Sequence, residues 1–218
     1  SAAFVHPERG EVLPLPPEFI EPQDGHAKED CERVAMKRRL RLWGKHYSKL
    51  NVTLLGDDIF ACQPICDALI AQGLHFIFTC KEASHKCLYE WVNPLKAAGK
   101  LAVVERTLKV KGKPYRYRCQ YINQLPVRDG KDALQVNWLS VEVRDKQGKI
   151  VYSSAFISDH LLSEQNVVEV AQAGRTRWKT ENEHNNTLKN HGYYLEHCYG
   201  HGKQHLAALL TTLILLAF

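Results

Sequence analysis

No two cysteines of this 218-residue sequence stand at CxxC spacing, although seven are present (Cys31, Cys62, Cys66, Cys80, Cys87, Cys119 and Cys198). An odd, scattered set supplies neither a disulfide framework nor a paired zinc site, so free thiols in a reducing compartment are expected. The apolar stretch after Ser1 has neither the basic segment nor the cleavage site of a secretory signal, so it is not expected to act as one. The apolar run 206–218 falls short of the about 20 residues that a membrane-spanning helix needs, so a core helix is expected there. Internal repeats and low-complexity tracts are absent. Nor does one sign of charge dominate. The 29 Lys+Arg against 24 Asp+Glu give +5, which permits an anionic partner without demanding one. With 44% hydrophobic and 24% charged residues, wholesale disorder is excluded and one sizeable core is expected.

What is present reads as strands and helices in an α/β order. Residues 2–6 and 11–15 flank the turn-forming Pro7-Glu8-Arg9-Gly10 and predict a short hairpin, which Pro16 and Pro17 end. A helical pattern covers about 26–50, with Val34, Leu40, Leu42 and Trp43 set among Lys37, Arg38, Arg39 and Arg41. Residues 51–55 read as a buried strand that delivers Asp57 and Asp58 into a loop. A helix over 64–72 and a second buried strand over 74–80 follow. From 101 to 158 the pattern alternates in four runs (101–110, 115–123, 134–144 and 150–158), punctuated by Gly112, Gly130 and Gly148. An antiparallel β-rich insertion is expected, its last strand rejoining the main sheet. Ser163 is the expected N-cap of one long helix reaching about residue 190. The abrupt apolar run at the end and the lack of an initiating methionine read as a fragment.

Two places could carry chemistry. In the segment Arg177-Trp178-Lys179-Thr180-Glu181, helical spacing sets Arg177, Glu181, Asn185 and Lys189 along one face. A cation, a carboxylate, an amide and a cation could hold a metal ion and grip phosphate beside it, although a solvated face of salt bridges has the same pattern. Glu183, two residues on, points elsewhere. The second place is Asp57-Asp58. Ligands of open α/β sheets gather at the carboxyl ends of strands, although Gly-Asp-Asp is also ordinary turn chemistry. His197, His201 and His205, with His184 and His191 nearby, have zinc-like spacing; Gly200 and Gly202 interrupt it and favour a structural or DNA-backbone role. Lys109, Lys111, Lys113, Arg116 and Arg118 alternate with Tyr115, Tyr117 and Tyr121. They could track phosphate, or mark a strand with one wet face.

The helix RTRWKTENEHNNTLKNHGY resembles the arginine–tryptophan–x–x–glutamate signature of bacterial insertion-sequence DDE transposases, the group with a β-strand insertion before the final glutamate. Arg177 and Glu181 match the arginine and the catalytic glutamate. Lys189 falls one position later than the family's downstream lysine, and Gly174 stands where a tyrosine is usual. LLGDDIFACQP resembles the second-aspartate loop; Phe60, three residues on, points to Asp57, with Asp58 the fallback. EFIEPQDGHAKEDCE and GYYLEHCYGHGKQHL also resemble segments of one bacterial subgroup.

The resemblance implies an α/β fold: a ribonuclease H-like mixed sheet with flanking helices and an antiparallel β-rich insertion. Its parts would be 1–82 (N-terminal part of the catalytic core, first strand missing), 83–150 (insertion) and 151–218 (C-terminal part with the glutamate helix). It implies Mg²⁺ or Mn²⁺ held by Asp57 and Glu181, with Arg177 and Lys189 orienting Glu181 and contacting DNA phosphate, and Trp178 packed beneath. The implied partner is double-stranded DNA, both transposon ends and target, in a complex that admits a homodimer; the implied location is the bacterial cytoplasm at the nucleoid, without membrane. The family's first aspartate lies on a strand upstream of the hairpin, and Asp24 and Asp30 are poor substitutes. A binding module or decayed remnant without cleavage activity is therefore the alternative.

Overall fold

A computed structural model describes residues 2–19, 32–197 and 205–218. Asp24, Asp30, His201 and the start of the helix expected from residue 26 lie outside the described residues. The elements are β1 (Ala3–Phe4), β2 (Leu13–Pro14), α1 (Glu32–Tyr47), β3 (Thr53–Gly56), α2 (Gln63–Ala71), β4 (His75–Thr79) and α3 (Lys86–Ala97). They continue with β5 (Ala102–Val110), β6 (Lys113–Pro126), β7 (Gln135–Arg144), β8 (Ile150–Ser158), α4 (Val167–Arg175), α5 (Asn186–Asn190) and α6 (Leu206–Ala217). No helix among the described residues is long and apolar enough to cross a membrane. The chain divides into two compact units, Leu40–Gly174 and the pair of segments Ser1–Arg39 and Arg175–Phe218.

The larger unit is a mixed six-stranded sheet in the order β3-β4-β8-β7-β6-β5 with flanking helices, an α/β arrangement. β3 and β4 are parallel and joined through α2, the crossover that a parallel pair requires. β4 then pairs antiparallel with β8, and every later neighbour is antiparallel. The four alternating runs are thus four strands, and the last of them joins β4 as the sequence pattern predicts. The first turn sits one residue earlier than Gly112-Lys113-Pro114 suggests: Lys111 and Gly112 both take positive φ, the tight hairpin geometry that leaves Lys113 in the strand.

Strand alternation decides which side chains meet the core. Tyr117, Cys119, Tyr121, Leu139, Val141, Val143, Ile77 and Phe156 pack on Val167, Val168, Val170 and Ala171 of α4. Tyr117, Tyr121 and the partly buried Tyr115 are core residues, not a stacking platform for bases, which decides the alternation of tyrosines with cations in favour of one wet face. On the opposite face α2 lies by β4, α3 lies by β6, and Tyr89 meets the Trp138 ring edge-on.

β6 carries a bulge between Ile122 and Leu125, where Gln124 takes positive φ. The bulge frees Asn123 to bond both backbone groups of Leu162 and sends the Gln124 N–H to Asn137 Oδ1. Asn137 in turn donates to the carbonyls of Asp159 and His160. The irregular strand thereby fixes the 159–162 loop. Entry into α4 is tied by Asn166, whose Oδ1 accepts from Ser163 N–H and whose Nδ2 donates to Leu161 O, and by the Ser163 carbonyl, which accepts from Val167 N–H.

In the smaller unit, β1 and β2 form a two-stranded sheet of their own. The long helix expected to reach residue 190 is broken. α4 stops at Arg175, Thr176 and Arg177 form a turn, and residues Thr180–Asn185 are π-helical before α5. Lys179 is buried there, and its ammonium donates to the carbonyls of His6, Pro7 and Arg9. Three acceptors match the three donors of a lysine, which is how a burial of this kind is tolerated.

Candidate functional site

At the carboxyl end of β3, two neighbouring acids have different jobs. Gly56 brings the strand close under two rings: a Cβ there would lie 2.7 Å from Phe78 and 3.2 Å from Phe60. Phe60, the aromatic expected three residues after the acid, packs against Phe78 with ring centroids 6.4 Å apart. Asp57 is exposed and caps the short 3₁₀ turn Asp58–Phe60 by accepting from Ile59 N–H (3.2 Å). Asp58 points into the protein. Its Oδ1 accepts from Lys81 N–H (2.6 Å) and lies 3.0 Å from His85 Nε2, an ion-pair distance without hydrogen-bond alignment. Burial pulls the Asp58 pKa upward, but Ser84, the Lys81 N–H and His85 together outweigh it and hold the carboxyl below its ordinary value. Asp58 thus anchors the loop after β4, and Asp57 is the acid left open.

The signature segment lies in the other unit. Arg177 Nη1 pairs with Glu181 Oε1 at 2.5 Å, so these two matched residues do meet. The rest of the stripe does not continue as spaced. Asn186 N–H bonds the carbonyl of Glu181, an i→i+5 step, and a π turn rotates later residues away from a four-residue stripe. Lys189 pairs with Glu196 Oε1 (2.6 Å). Trp178, expected to pack beneath the site, is 40% exposed. Gly174, where the resemblance calls for a tyrosine, has no room for a side chain: a Cβ would meet Phe156 at 2.9 Å and Ile77 at 3.0 Å, so α4 reaches the sheet only with glycine here. Asp57 and Glu181 fall in different units.

His184, on the same π turn, is fully buried, and among the described residues neither ring nitrogen has a hydrogen-bond partner. Its ring meets Phe218 edge-on at 5.2 Å. Burial lowers its pKa, so it is a core residue rather than part of a basic cluster. Of the basic strand residues, Lys109, Arg116 and Arg118 share the face opposite the core by register, whereas Lys111 is in the turn and Lys113 has the parity of Tyr115. Arg118 pairs with Glu105 and Arg144 with Glu142, which leaves that face mixed in charge. On α1, Arg38 and Arg39 turn to Glu18.

Thiol chemistry has little support. Cys62, Cys66, Cys80, Cys87 and Cys119 are free, as the spacing predicts. Burial pushes the Cys66 and Cys80 thiols well above their ordinary value, and the hydrogen bond from Cys87 to Asp129 raises Cys87 to about 11.

One group that could hold a metal ion was not expected: His75, Asp159 and His160, whose ligand atoms lie within 4.8 Å of one another. Asp159 Oδ1 accepts from Phe76 N–H and Oδ2 lies 2.6 Å from His75 Nδ1. The His75 and His160 rings stack at 4.7 Å. His75 Nε2 is 3.0 Å from Asn51 Oδ1, and His160 Nε2 is 2.9 Å from Thr53 Oγ1. Burial is the main reason that the His160 pKa is lowered. No family model and no curated protein sequence matches the chain.

Proposed function

We propose that the chain is a part of a DNA transposase of the DDE class whose core is ribonuclease H-like. The observation that carries this reading is the Arg177–Glu181 ion pair on an arginine–tryptophan–x–x–glutamate segment. It is joined by an open acid, Asp57, after a strand of a parallel β–α–β unit. The four antiparallel strands between the two acids agree with a β-rich insertion before the glutamate.

In this reading Asp57 and Glu181 would be ligands of Mg²⁺ or Mn²⁺, together with a third carboxylate. Bound there, the metal would supply charge stabilisation and nucleophile activation for an in-line attack on phosphodiester, first by water and then by the freed 3′-hydroxyl on target DNA. Arg177 holds the Glu181 carboxylate in place and offers its remaining donors to phosphate. Lys189, turned to Glu196, would reach phosphate only by leaving that pair. Double-stranded DNA is the substrate, met in the cytoplasm at the nucleoid, and its affinity falls steeply with salt because the contacts are mainly to phosphate.

The test is a nicking assay on labelled DNA carrying the element's ends, with three proteins: the chain as it stands, the chain extended through the codons upstream of Ser1, and the extended chain with Glu181→Gln. Mg²⁺-dependent nicking by the extended protein alone is expected. Salt-sensitive DNA binding without nicking by the extended protein would favour a non-cleaving remnant. Nicking by the chain as it stands, abolished by Asp57→Asn, would refute the need for an upstream acid.

A further inference from the structure

We propose that His75, Asp159 and His160 form a binding site for a divalent transition metal of Zn²⁺ type, separate from the Asp57 end of the sheet. Two imidazoles and one carboxylate are a donor set suited to Zn²⁺ and its neighbours, whereas Mg²⁺ prefers an all-oxygen octahedron. Place in the fold supports the separation. Thr53 opens β3 and His75 opens β4, while Asp57 follows the far end of β3; the four residue steps from Thr53 to Asp57, at about 3.3 Å each, put roughly 13 Å between the two ends.

The site is built from rigid parts. Ser158 is fully buried and donates to Phe76 O, and Asn137 holds the carbonyls of Asp159 and His160. Asp159 Oδ1 is fixed by Phe76 N–H, which leaves Oδ2 for an ion. Each ring already has an outer partner on one nitrogen: Asn51 for His75 Nε2 and Thr53 for His160 Nε2. Such partners orient ligating histidines in metalloproteins. That leaves Nδ1 of His160 for the ion, and Nδ1 of His75 once the proton it shares with Asp159 Oδ2 is displaced. Tetrahedral Zn²⁺ sets its ligand atoms about 3.3 Å apart, inside the 4.8 Å that encloses these three groups. Closure asks the His160 ring to turn out of its stack, because the lone pairs of stacked rings run side by side. A water completes the coordination, and the ion takes the place of the proton between His75 and Asp159.

The experiment is calorimetric titration of the chain with Zn²⁺ and, separately, Mg²⁺, together with Zn K-edge X-ray absorption. One Zn²⁺ per chain is expected, with a shell of nitrogen and oxygen at about 2.0–2.1 Å, no sulfur shell near about 2.3 Å, and no Mg²⁺ heat at this site. His160→Ala and Asp159→Asn should each weaken Zn²⁺ at least about tenfold, while His197→Ala/His205→Ala leaves it unchanged. Absence of Zn²⁺ binding, a sulfur shell, or affinity that survives His160→Ala in a folded variant would each overturn the proposal. The absorption spectrum of the unmutated chain decides the matter even where a variant fails to fold.

Discussion

Replacing Lys179 with methionine keeps the buried stem and removes the ammonium that the His6, Pro7 and Arg9 carbonyls share. A hydrogen bond to a charged group contributes about 1.5–3 kcal/mol. The three bonds share one cation, so their contributions do not add. Residues 6–9 are exposed, so the freed carbonyls regain water, which offsets part of the loss. A net cost of about 2–4 kcal/mol follows. The loss is local: it frees the turn of the β1–β2 hairpin from the segment that carries Glu181. Urea unfolding measures the total, and hydrogen exchange locates it at the Leu15 amide, which bonds Ala2 O across the hairpin. Lys179→Arg should recover only part of the stability, because a planar guanidinium cannot aim at three converging carbonyls. Lys179→Met within about 0.5 kcal/mol of the parent, with Leu15 exchange unchanged, would refute the reasoning.

Gly56→Ala forces a Cβ against Phe78 and should cost about 1–3 kcal/mol; an unchanged melting temperature would show that the strand end yields freely. Asp58→Asn should destabilise the chain by about 1–3 kcal/mol and Asp57→Asn hardly at all, read by urea unfolding. The Asp58 contribution is complete above its ordinary pKa and is lost as pH falls through its lower folded value. His184 acts in a different range. Its folded pKa is lowered, so the unfolded chain takes up the proton first, and stability declines as pH falls below about 6.5. Melting curves against pH should show a smaller slope there in His184→Phe, with His160 keeping part of it.

Much of the sheet was legible because alternation and turn residues fix strands locally: 101–158 resolves into β5 to β8 nearly as spaced. The Arg177–Glu181 pair was legible for the same reason, being a four-residue contact. The π turn was not, because a change from i→i+4 to i→i+5 leaves no mark in residue types and shifts Lys189 out of the stripe. The His75, Asp159 and His160 group was invisible because its members come from the start of β4 and a loop 84 residues on. The bulge at Asn123 and Gln124 that steadies that loop reads in sequence as two ordinary polar residues in a strand. Nothing in the residue types singles out Lys179; its burial against the 6–9 turn sets it apart.

The proposed function requires Asp57 and Glu181 to serve one metal site, and paramagnetic broadening by Mn²⁺ tests that most directly. Amide resonances of an isotopically labelled chain are followed as Mn²⁺ is added, in the parent and in Asp57→Asn, Glu181→Gln and Asp159→Asn. The account predicts that the amides of residues 57 and 181 broaden together. It also predicts that both responses weaken in Asp57→Asn and in Glu181→Gln, and that both persist in Asp159→Asn. Broadening at residue 181 that is indifferent to Asp57→Asn, or confined to one of the two acids, would contradict it.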